Sequence, residues 1–185
     1  IFIMYKSLNE HLKERFGTKV YKIALSSGCT CPNRDGTVGV GGCIFCGEFG
    51  SGDFAQSGLL PIKEQLRLAK EKIASKNKGG KYIAYFQSFT NTYDRVEVLE
   101  PKFREAIEDA EVVALSVATR PDCLPADILD MLKRLNQIKP VWVELGLQTI
   151  KEETAQYIRR GYSLEVYDKA VTALKQIGVE VIVHV

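Results

Sequence analysis

Short, uninterrupted apolar segments alternate with longer segments of helical periodicity along this chain of 185 residues, and this alternation constrains its fold most. Strands that are buried on both faces have continuous apolar sequences, and such strands joined by helices form parallel βα units. The predicted strands are Lys19–Leu25, Tyr82–Gln87, Glu111–Ala118, Val141–Leu147 and Val179–Val185. The predicted helices are Pro61–Ser75, Val96–Ala110, Pro125–Ile138, Lys151–Arg160 and Leu164–Ile177. No linker-like stretch divides the pattern, so we expect one α/β domain.

Two arrangements fit this pattern, a doubly wound open sheet and a complete or partial (β/α) barrel. In both, the loops that follow the carboxyl ends of the strands carry the chemistry. The long segment Ser26–Gly58 is such a loop, and it is rich in Gly and Cys. Loops of this length in compact domains are usually functional or disordered. The last segment, Val179–Val185, is predicted to be a buried strand, which at a chain end indicates a fragment of a longer protein.

The composition excludes several other classes of protein. Hydrophobic residues make up 45% of the sequence and charged residues 26%, values typical of globular domains rather than disordered or collagen-like chains. A net charge of +2 gives no sign of a dedicated polyanion-binding surface, although a local basic patch is compatible with it. No apolar segment reaches the length of a membrane span, and the N-terminus does not resemble a secretory signal. We therefore expect a cytoplasmic protein without a membrane partner.

Four of the five cysteines, Cys29, Cys31, Cys43 and Cys46, lie in the long loop. In a reducing compartment, clustered thiols favour metal binding over disulfides. The C-x-x-C spacing of Cys43 and Cys46 lets two sulfurs reach one metal centre from a tight turn, and the glycines before it let the chain fold back. No nucleotide-binding loop is expected, because no Lys-Ser, Lys-Thr or G-x-G-x-x-G pattern follows the glycines.

Two metal centres are compatible with this loop. Four thiolates can close a tetrahedral structural Zn²⁺ site, which would make the chain a zinc-stabilised four-cysteine binding or structural module on a βα scaffold. Three thiolates can instead hold a [4Fe–4S] cluster and leave one iron open for a ligand. The spacing of the cysteines alone does not decide between these two alternatives.

The segments CPNRDG (residues 31–36) and GGCIFC (residues 41–46) follow the first predicted strand directly. In this position they resemble the radical S-adenosylmethionine (SAM) superfamily, whose members hold a [4Fe–4S] cluster after the first strand of a partial (β/α)₆ barrel. Many members have the spacing C-x3-C-x2-C, whereas this chain has C-x11-C-x2-C. The wide spacing resembles the Elp3-related branch and, within it, the YhcC/YtqA family of bacterial radical SAM proteins.

This resemblance implies a fold. It predicts an α/β structure, a partial (β/α)₆ TIM-like barrel of the radical SAM type, truncated after about the fifth strand. Residues 1–185 would then form a radical SAM core domain that is incomplete at its C-terminus.

The resemblance also assigns cofactor-binding residues. Cys31, Cys43 and Cys46 match the three cluster ligands, which leaves Cys29 as an extra thiol. Phe45 occupies the aromatic position before the last ligand, where members of the superfamily contact the adenine end of SAM; burial in a core is the alternative for such an aromatic residue.

A second motif, ELGLQT (residues 144–149) followed by IRRGY (residues 158–162), resembles the fourth strand and the following helix of the superfamily. The resemblance gives Gln148 and Arg160 roles in SAM binding, with Arg159 as the adjacent alternative to Arg160. An amide suits ribose hydroxyls and a guanidinium suits the methionine carboxylate.

Five further polar or thiol side chains are weaker candidates. We expect Gln87, Ser88 or Asn91, after the second strand, to offer polar atoms to the amino group of SAM. His184 lies in the last strand and either lines the cavity or forms a hydrogen bond in the core. Cys123 is interpreted as a packing residue rather than as a reactive thiol.

The activity implied by the resemblance is radical chemistry. A reduced cluster would donate one electron to SAM, yielding methionine and a 5′-deoxyadenosyl radical that abstracts hydrogen from a substrate. An electron donor such as flavodoxin or ferredoxin is implied as a partner. Kinship with the Elp3-related branch suggests a tRNA substrate, modified at the wobble uridine. A candidate RNA-binding face is the basic face of the helix that contains Lys63, Arg67, Lys70, Lys72, Lys76 and Lys78, with Lys81 nearby. The interleaved Glu64 and Glu71 favour a solvated surface instead.

Overall fold

The computed structural model describes residues 5–47 and 55–185, and strands and helices alternate along these residues. The strands are β1 (Tyr21–Leu25), β2 (Tyr82–Phe86), β3 (Val112–Thr119), β4 (Val141–Gly146) and β5 (Glu180–His184). The helices are α1 (Leu8–Phe16), α2 (Ile62–Ile73), α3 (Val96–Ile107), α4 (Ala126–Asn136), α5 (Glu152–Tyr157) and α6 (Leu164–Gln176). Every predicted element is present, and its ends lie within three residues of the predicted ones. The part of the predicted long loop at 48–54 lies outside the described residues.

The strand order decides between the two arrangements that the sequence left open. The sheet has the order β1-β2-β3-β4-β5, and every neighbouring pair is parallel. A doubly wound sheet reverses its strand order at a switch point, but each strand here lies beside its predecessor. Repeated steps in one direction are typical of a (β/α) barrel. Because β1 and β5 are the two edges of this sheet, the described part of the chain forms a partial barrel.

The larger hydrophobic core lies between the sheet and the helices that cover its outer face. Phe86 of β2 and Phe103 of α3 meet there edge to face, with ring centroids 4.8 Å apart. Leu99 and Leu132 are fully buried in the same core, and Cys29 also belongs to it. This core fixes the helices on one side of the sheet and leaves the other side free to form the barrel interior. In the described ranges, no helix has the length and apolar character needed to cross a bilayer.

The last strand differs from its prediction. The sequence of Val179–Val185 predicts a strand that is buried on both faces, but Val183 is 47% exposed and His184 is also exposed. The reason is its position, because β5 is an edge strand that pairs with β4 on one side only in the described sheet. A continuous apolar sequence shows that a strand is able to be buried on both faces, but it does not show whether other elements cover those faces.

Helix α1 was not predicted from the sequence. It begins with a capping box, in which the Ser7 side chain accepts from the Glu10 backbone N–H and Glu10 accepts from the Ser7 N–H; Gly17, with φ +71°, ends it. Its apolar side chains Leu12 and Phe16 pack against a second, smaller core on the inner face of the sheet. That core contains Val20, Ile83, Ala114 and Trp142. Helix α1 therefore closes the end of the barrel opposite the carboxyl ends of the strands.

Substitution of Leu12 by alanine tests this closure. Leu12 is 3% exposed, so Leu12→Ala leaves a cavity and should lower the free energy of unfolding by about 2–5 kcal/mol. The control is Leu8→Ala in the same helix, because Leu8 is 50% exposed and its loss should change that free energy by less than about 0.5 kcal/mol. Urea unfolding measures both variants, and equal effects would show that α1 does not seal the barrel.

Candidate functional site

The inner face of the sheet is layered along the barrel axis, because alternate residues of each strand point into the barrel. The layer at the amino ends of the strands is apolar and packs against α1. Above it, one layer consists of polar side chains from all five strands, namely Lys22, Tyr85, Ser116, Glu144 and His184. The cysteine loop lies beyond this layer, at the carboxyl ends, where a barrel carries its chemistry.

A cavity of about 230 Å³ lies at this carboxyl edge, and it brings most of the predicted site residues together. Its lining includes Cys31, Cys43 and Cys46, together with Phe45 and Gln148. Two larger clefts, of about 660 and 610 Å³, contain none of these three cysteines. The residues that carry chemistry, rather than the largest volume, therefore identify the candidate site.

The wide cysteine spacing is accommodated by a compact loop. A turn after Cys31 is closed by the Arg34 N–H, which donates to the Cys31 carbonyl at 2.8 Å. The chain then reverses, with an isolated antiparallel bridge between Asp35 and Val40. The Gly42 N–H donates to the Asn33 carbonyl at 2.8 Å, which brings the chain back beside its starting point. Eleven intervening residues thus separate Cys31 and Cys43 in sequence while the fold keeps both at one cavity.

The Arg34 side chain holds the C-x-x-C turn of Cys43 and Cys46 in place by hydrogen bonds. The turn itself is closed by the Cys46 N–H, which donates to the Cys43 carbonyl at 3.0 Å. The Arg34 guanidinium donates to the carbonyls of Cys46 at 3.1 Å and Gly47 at 2.5 Å. Gly42 has φ +80°, a conformation that favours glycine, and a Cβ there would also be in tight contact with Arg34 Nε, at 3.0 Å.

The donor set is compatible with an iron–sulfur cluster. Among the described residues, no three His, Cys, Asp or Glu side chains converge closely enough to bind one metal ion. The three thiols nevertheless line one cavity, which is the arrangement that ligands of different irons in one cluster need. Cys29 packs into the outer core instead, 8% exposed, and so does not complete a four-thiol set.

The surroundings of Cys43 shift the pKa of its thiol. Burial raises the pKa of the Cys43 thiol, while the Asn33 hydrogen bond and the charge of Arg120 oppose that rise. A cysteine binds a metal as a thiolate, so a metal bound by Cys43 would displace the proton of its thiol.

Of the two residues that were expected to bind SAM from the second motif, Gln148 lines the cavity and Arg160 is buried outside its lining. Gln148 lines the cavity with φ +62°, a left-handed conformation that is costly for a residue other than glycine and is found most often at functional sites. Arg160 is 1% exposed and does not line the cavity; its guanidinium donates to the carbonyls of Leu147 and Thr149, at 2.8 and 2.7 Å, and to that of Tyr162. Arg160 therefore holds the loop that carries Gln148.

Comparison with known proteins identifies the family. The sequence-family model that describes the radical SAM superfamily matches residues 26–185 of this chain. This chain belongs to the radical SAM superfamily. YtqA of Bacillus subtilis is 50% identical over 181 residues, covering 98% of this chain and 56% of YtqA. YhcC of Escherichia coli is 41% identical over 174 residues, covering 94% of this chain and 55% of YhcC.

More distant similarities agree with the Elp3-related branch. Over 73 residues, 39% of this chain and 13% of the relative, the chain is 41% identical to a tRNA uridine(34) acetyltransferase of Methanocaldococcus jannaschii. The structure of Methanocaldococcus infernus Elp3 superposes with a TM-score of 0.59 at 21% identity, covering 89% of this chain and 37% of Elp3, which supports the same fold. The radical SAM chain spans about half the length of the curated relatives YtqA and YhcC.

Arg120 and Tyr162 line the candidate cavity, although neither of them was assigned a role there from the sequence. The Arg120 guanidinium pairs with both carboxylate oxygens of Asp122, at 2.7 and 2.9 Å, and donates to the Arg160 carbonyl at 3.0 Å. Tyr162 donates to the Gly146 carbonyl, and the Arg120 and Arg160 guanidinium groups each lie 4.9 Å from its ring centroid. The sequence feature that could have indicated Arg120 is the motif TRPD (residues 119–122) at the carboxyl end of β3.

The weaker candidates separate into two groups. Gln87 and His184 line the cavity. Asn91 is fully buried and donates to the carbonyls of Phe86 and Ala118, both at 3.0 Å, so it ties strand ends together. Ser88 is buried and does not line the cavity. Cys123 is also buried, which raises the pKa of its thiol to about 12 and disfavours the nucleophilic thiolate at neutral pH.

Glu144 is a buried carboxylate at the floor of the cavity. It accepts from Lys22 at 2.5 Å, from His184 Nε2 at 2.6 Å and from the Ser116 hydroxyl. Burial by itself raises the pKa of the Glu144 carboxyl, but the hydrogen bonds from these three side chains outweigh it and lower the pKa from 4.5 to about 2. The carboxylate therefore stays ionised and fixes His184, with Nε2 donating to it, at the cavity wall.

The contribution of Glu144 to stability should depend on pH. A carboxyl whose pKa is 4.5 unfolded and about 2 folded contributes stability that is present above pH 4.5 and is lost as the pH falls towards 2. Glu144→Gln breaks a buried pair with Lys22 and should cost about 3 kcal/mol at neutral pH. The difference from the wild type should shrink steadily below pH 4.5.

Urea unfolding at a series of pH values measures this effect. The control is Glu165→Gln, because the pair between Glu165 and Lys169 is 75% exposed on both sides and should contribute almost nothing. A difference for Glu144→Gln that stays constant from neutral pH down to the folded-state pKa of about 2 would contradict the account of the buried carboxylate.

Proposed function

We propose that this chain is the catalytic core of a radical SAM enzyme, with a [4Fe–4S] cluster on Cys31, Cys43 and Cys46. The observation that carries the proposal is the meeting of these three thiols, and not of Cys29, at one cavity on the carboxyl edge of a parallel sheet. Membership of the radical SAM superfamily supports the same cofactors. When bound, the cluster and SAM supply a one-electron reductive cleavage whose product abstracts hydrogen from a substrate.

The residues around the thiols suit a SAM ligand. Phe45 is 51% exposed beside two of the thiols and offers an aromatic face to the adenine. Gln148 offers an amide for ribose hydroxyls. Arg160 was expected at the methionine carboxylate; because its donors hold backbone carbonyls, we propose that it acts by shaping the loop around Gln148. Arg120 is the guanidinium that lines the cavity itself.

The barrel interior suits reactions that must exclude water. Helix α1 and the apolar layer around Trp142 close the amino end of the barrel, so the carboxyl edge is the open end at which a ligand can enter the cavity. The charged layer around Glu144 forms a polar floor with fixed hydrogen bonds. Fixed protein dipoles replace solvent around a bound substrate in such a site.

We further propose RNA as the substrate class, with a tRNA base at the wobble uridine as the specific candidate. The support is the similarity over 73 residues to a tRNA uridine(34) acetyltransferase. On the basic face of α2, Arg67 pairs with Glu64 and Glu71 at 2.6 Å, which reduces the positive charge that this residue offers to RNA. Lys70 is likewise paired, with Asp109 and Glu111. The surface around the cavity mouth is therefore the better place to look for RNA contacts.

A one-electron donor, such as a flavodoxin or ferredoxin, is the partner that this chemistry requires. The proposed ligand Cys46 is followed by Gly47, at the described edge of the cysteine loop, and Val40 and Ile44 of this loop are 79% and 52% exposed. This loop therefore offers an approach to the cluster from solvent. The donor is proposed by chemical class alone.

Cysteine variants test the proposed function against the zinc alternative. After anaerobic reconstitution and reduction with SAM, the wild type should contain iron and sulfide, absorb broadly near roughly 400 nm and release 5′-deoxyadenosine. Cys31→Ala, Cys43→Ala and Cys46→Ala should each lose the iron and the product. Cys29→Ala and Cys123→Ala, both at buried positions outside the cavity, are the controls and should keep both. A colourless protein that binds one zinc ion through Cys29 would support the zinc-stabilised module instead.

A further inference from the structure

Asn33 is a buried side chain between two parts of the candidate site. It is 5% exposed and follows the proposed ligand Cys31 by two residues. Its Nδ2 donates to Cys43 Sγ at 3.3 Å and to the Arg159 carbonyl at 2.7 Å. An amide NH₂ group carries two hydrogens, so both bonds form at once.

The surroundings fix which end of the amide faces the sulfur. Cys43 Sγ and the Arg159 carbonyl are both acceptors here, so the NH₂ group and not the oxygen must face them. The oxygen instead lies against glycines, since a Cβ on Gly39 would be 2.4 Å from Asn33 Oδ1 and one on Gly161 would be 3.5 Å away. Gly39 therefore has to be glycine for this amide to fit, which indicates that the loop is built around it.

Asn33 also joins the thiol to the segment that shapes the rest of the site. Arg159 has φ +57°, a left-handed conformation that is rare outside glycine. The next residue, Arg160, holds the loop of Gln148 through the carbonyls of Leu147 and Thr149. Asn33 thus bonds both Cys43 and the Arg159 carbonyl, and the residue bonded covalently to Arg159, Arg160, holds the loop of Gln148.

We infer that Asn33 is a positioning residue that sets the reduction potential of the cluster through its N–H···S bond to Cys43; this inference rests on the proposed function. Reduction adds negative charge to a cluster and its thiolates, and a donor hydrogen bond to a ligand sulfur stabilises that added charge. Hydrogen bonds to sulfur are among the features that set cluster potentials. Asn33 therefore raises the midpoint potential and makes the cluster easier to reduce.

Two variants separate the donor from the shape of the side chain. Asn33→Ala removes the donor, and the midpoint potential should become more negative than that of the wild type. Asn33→Asp keeps the shape but replaces the donor with a carboxylate beside the sulfur, so its potential should be more negative still. The readout is a redox titration of the reconstituted full chain followed by electron paramagnetic resonance.

Asn77 provides the matched control. It is 6% exposed, donates to the Lys81 carbonyl at 3.1 Å and accepts from the Gly79 N–H at 3.2 Å, so it is a buried asparagine with backbone bonds but no sulfur contact. It precedes β2, at the opposite end of the sheet from the cavity. Asn77→Ala should lower stability and leave the midpoint potential unchanged.

A measurement on the unmutated chain covers the case in which the variants assemble no cluster. With ¹⁵N-labelled asparagine, pulsed electron paramagnetic resonance of the reduced wild type should show a nitrogen coupled to the cluster. Equal potentials in the wild type and both Asn33 variants, or no such coupling, would overturn the inference while leaving an iron-sulfur protein in hand. A wild type that takes up no iron would overturn the proposed function, and this inference with it.

Discussion

The site depends on one set of contacts, in which the segment after Cys31 holds the C-x-x-C turn. Pro32 and Asn33 accept backbone hydrogen bonds from the returning chain, and Arg34 donates to the carbonyls of the turn. A long flexible loop between two ligands would lose its conformational entropy at the moment of metal binding. Here the loop is already ordered by its own hydrogen bonds, so a wide cysteine spacing serves as well as a short one.

The barrel interior follows from strand alternation combined with this loop. Apolar residues at the amino ends seal against α1, polar residues occupy the middle layer, and thiols occupy the carboxyl edge. The middle layer contains an ionised, buried Glu144 that pairs with the partly exposed Lys22. Buried ion pairs are weak evidence for stability, since the desolvation of both charges offsets their attraction. The layer also places His184 at the cavity wall, where Glu144 fixes it by a hydrogen bond.

The sequence predicted the parts of the structure that depend on periodicity and local chemistry. The strands and five of the helices could be located because their apolar residues repeat regularly. The family resemblance selected Cys31, Cys43 and Cys46, and the fold brings these three to one cavity. Helix α1 was missed because only Leu12 of its nine residues is fully buried, although its capping box at Ser7 and Glu10 was visible. The exposure of β5 and the carbonyl contacts of Arg160 depend on which elements become neighbours, and periodicity carries no such information.

An iron without a protein ligand is the central claim, and Mössbauer spectroscopy of the chain reconstituted with ⁵⁷Fe tests it most directly. Three protein thiols leave one of four irons open to SAM. Addition of SAM should therefore change the signal of one iron and leave the other three unchanged. A four-iron spectrum that is indifferent to SAM, or a protein that takes up zinc and no iron, would contradict the account.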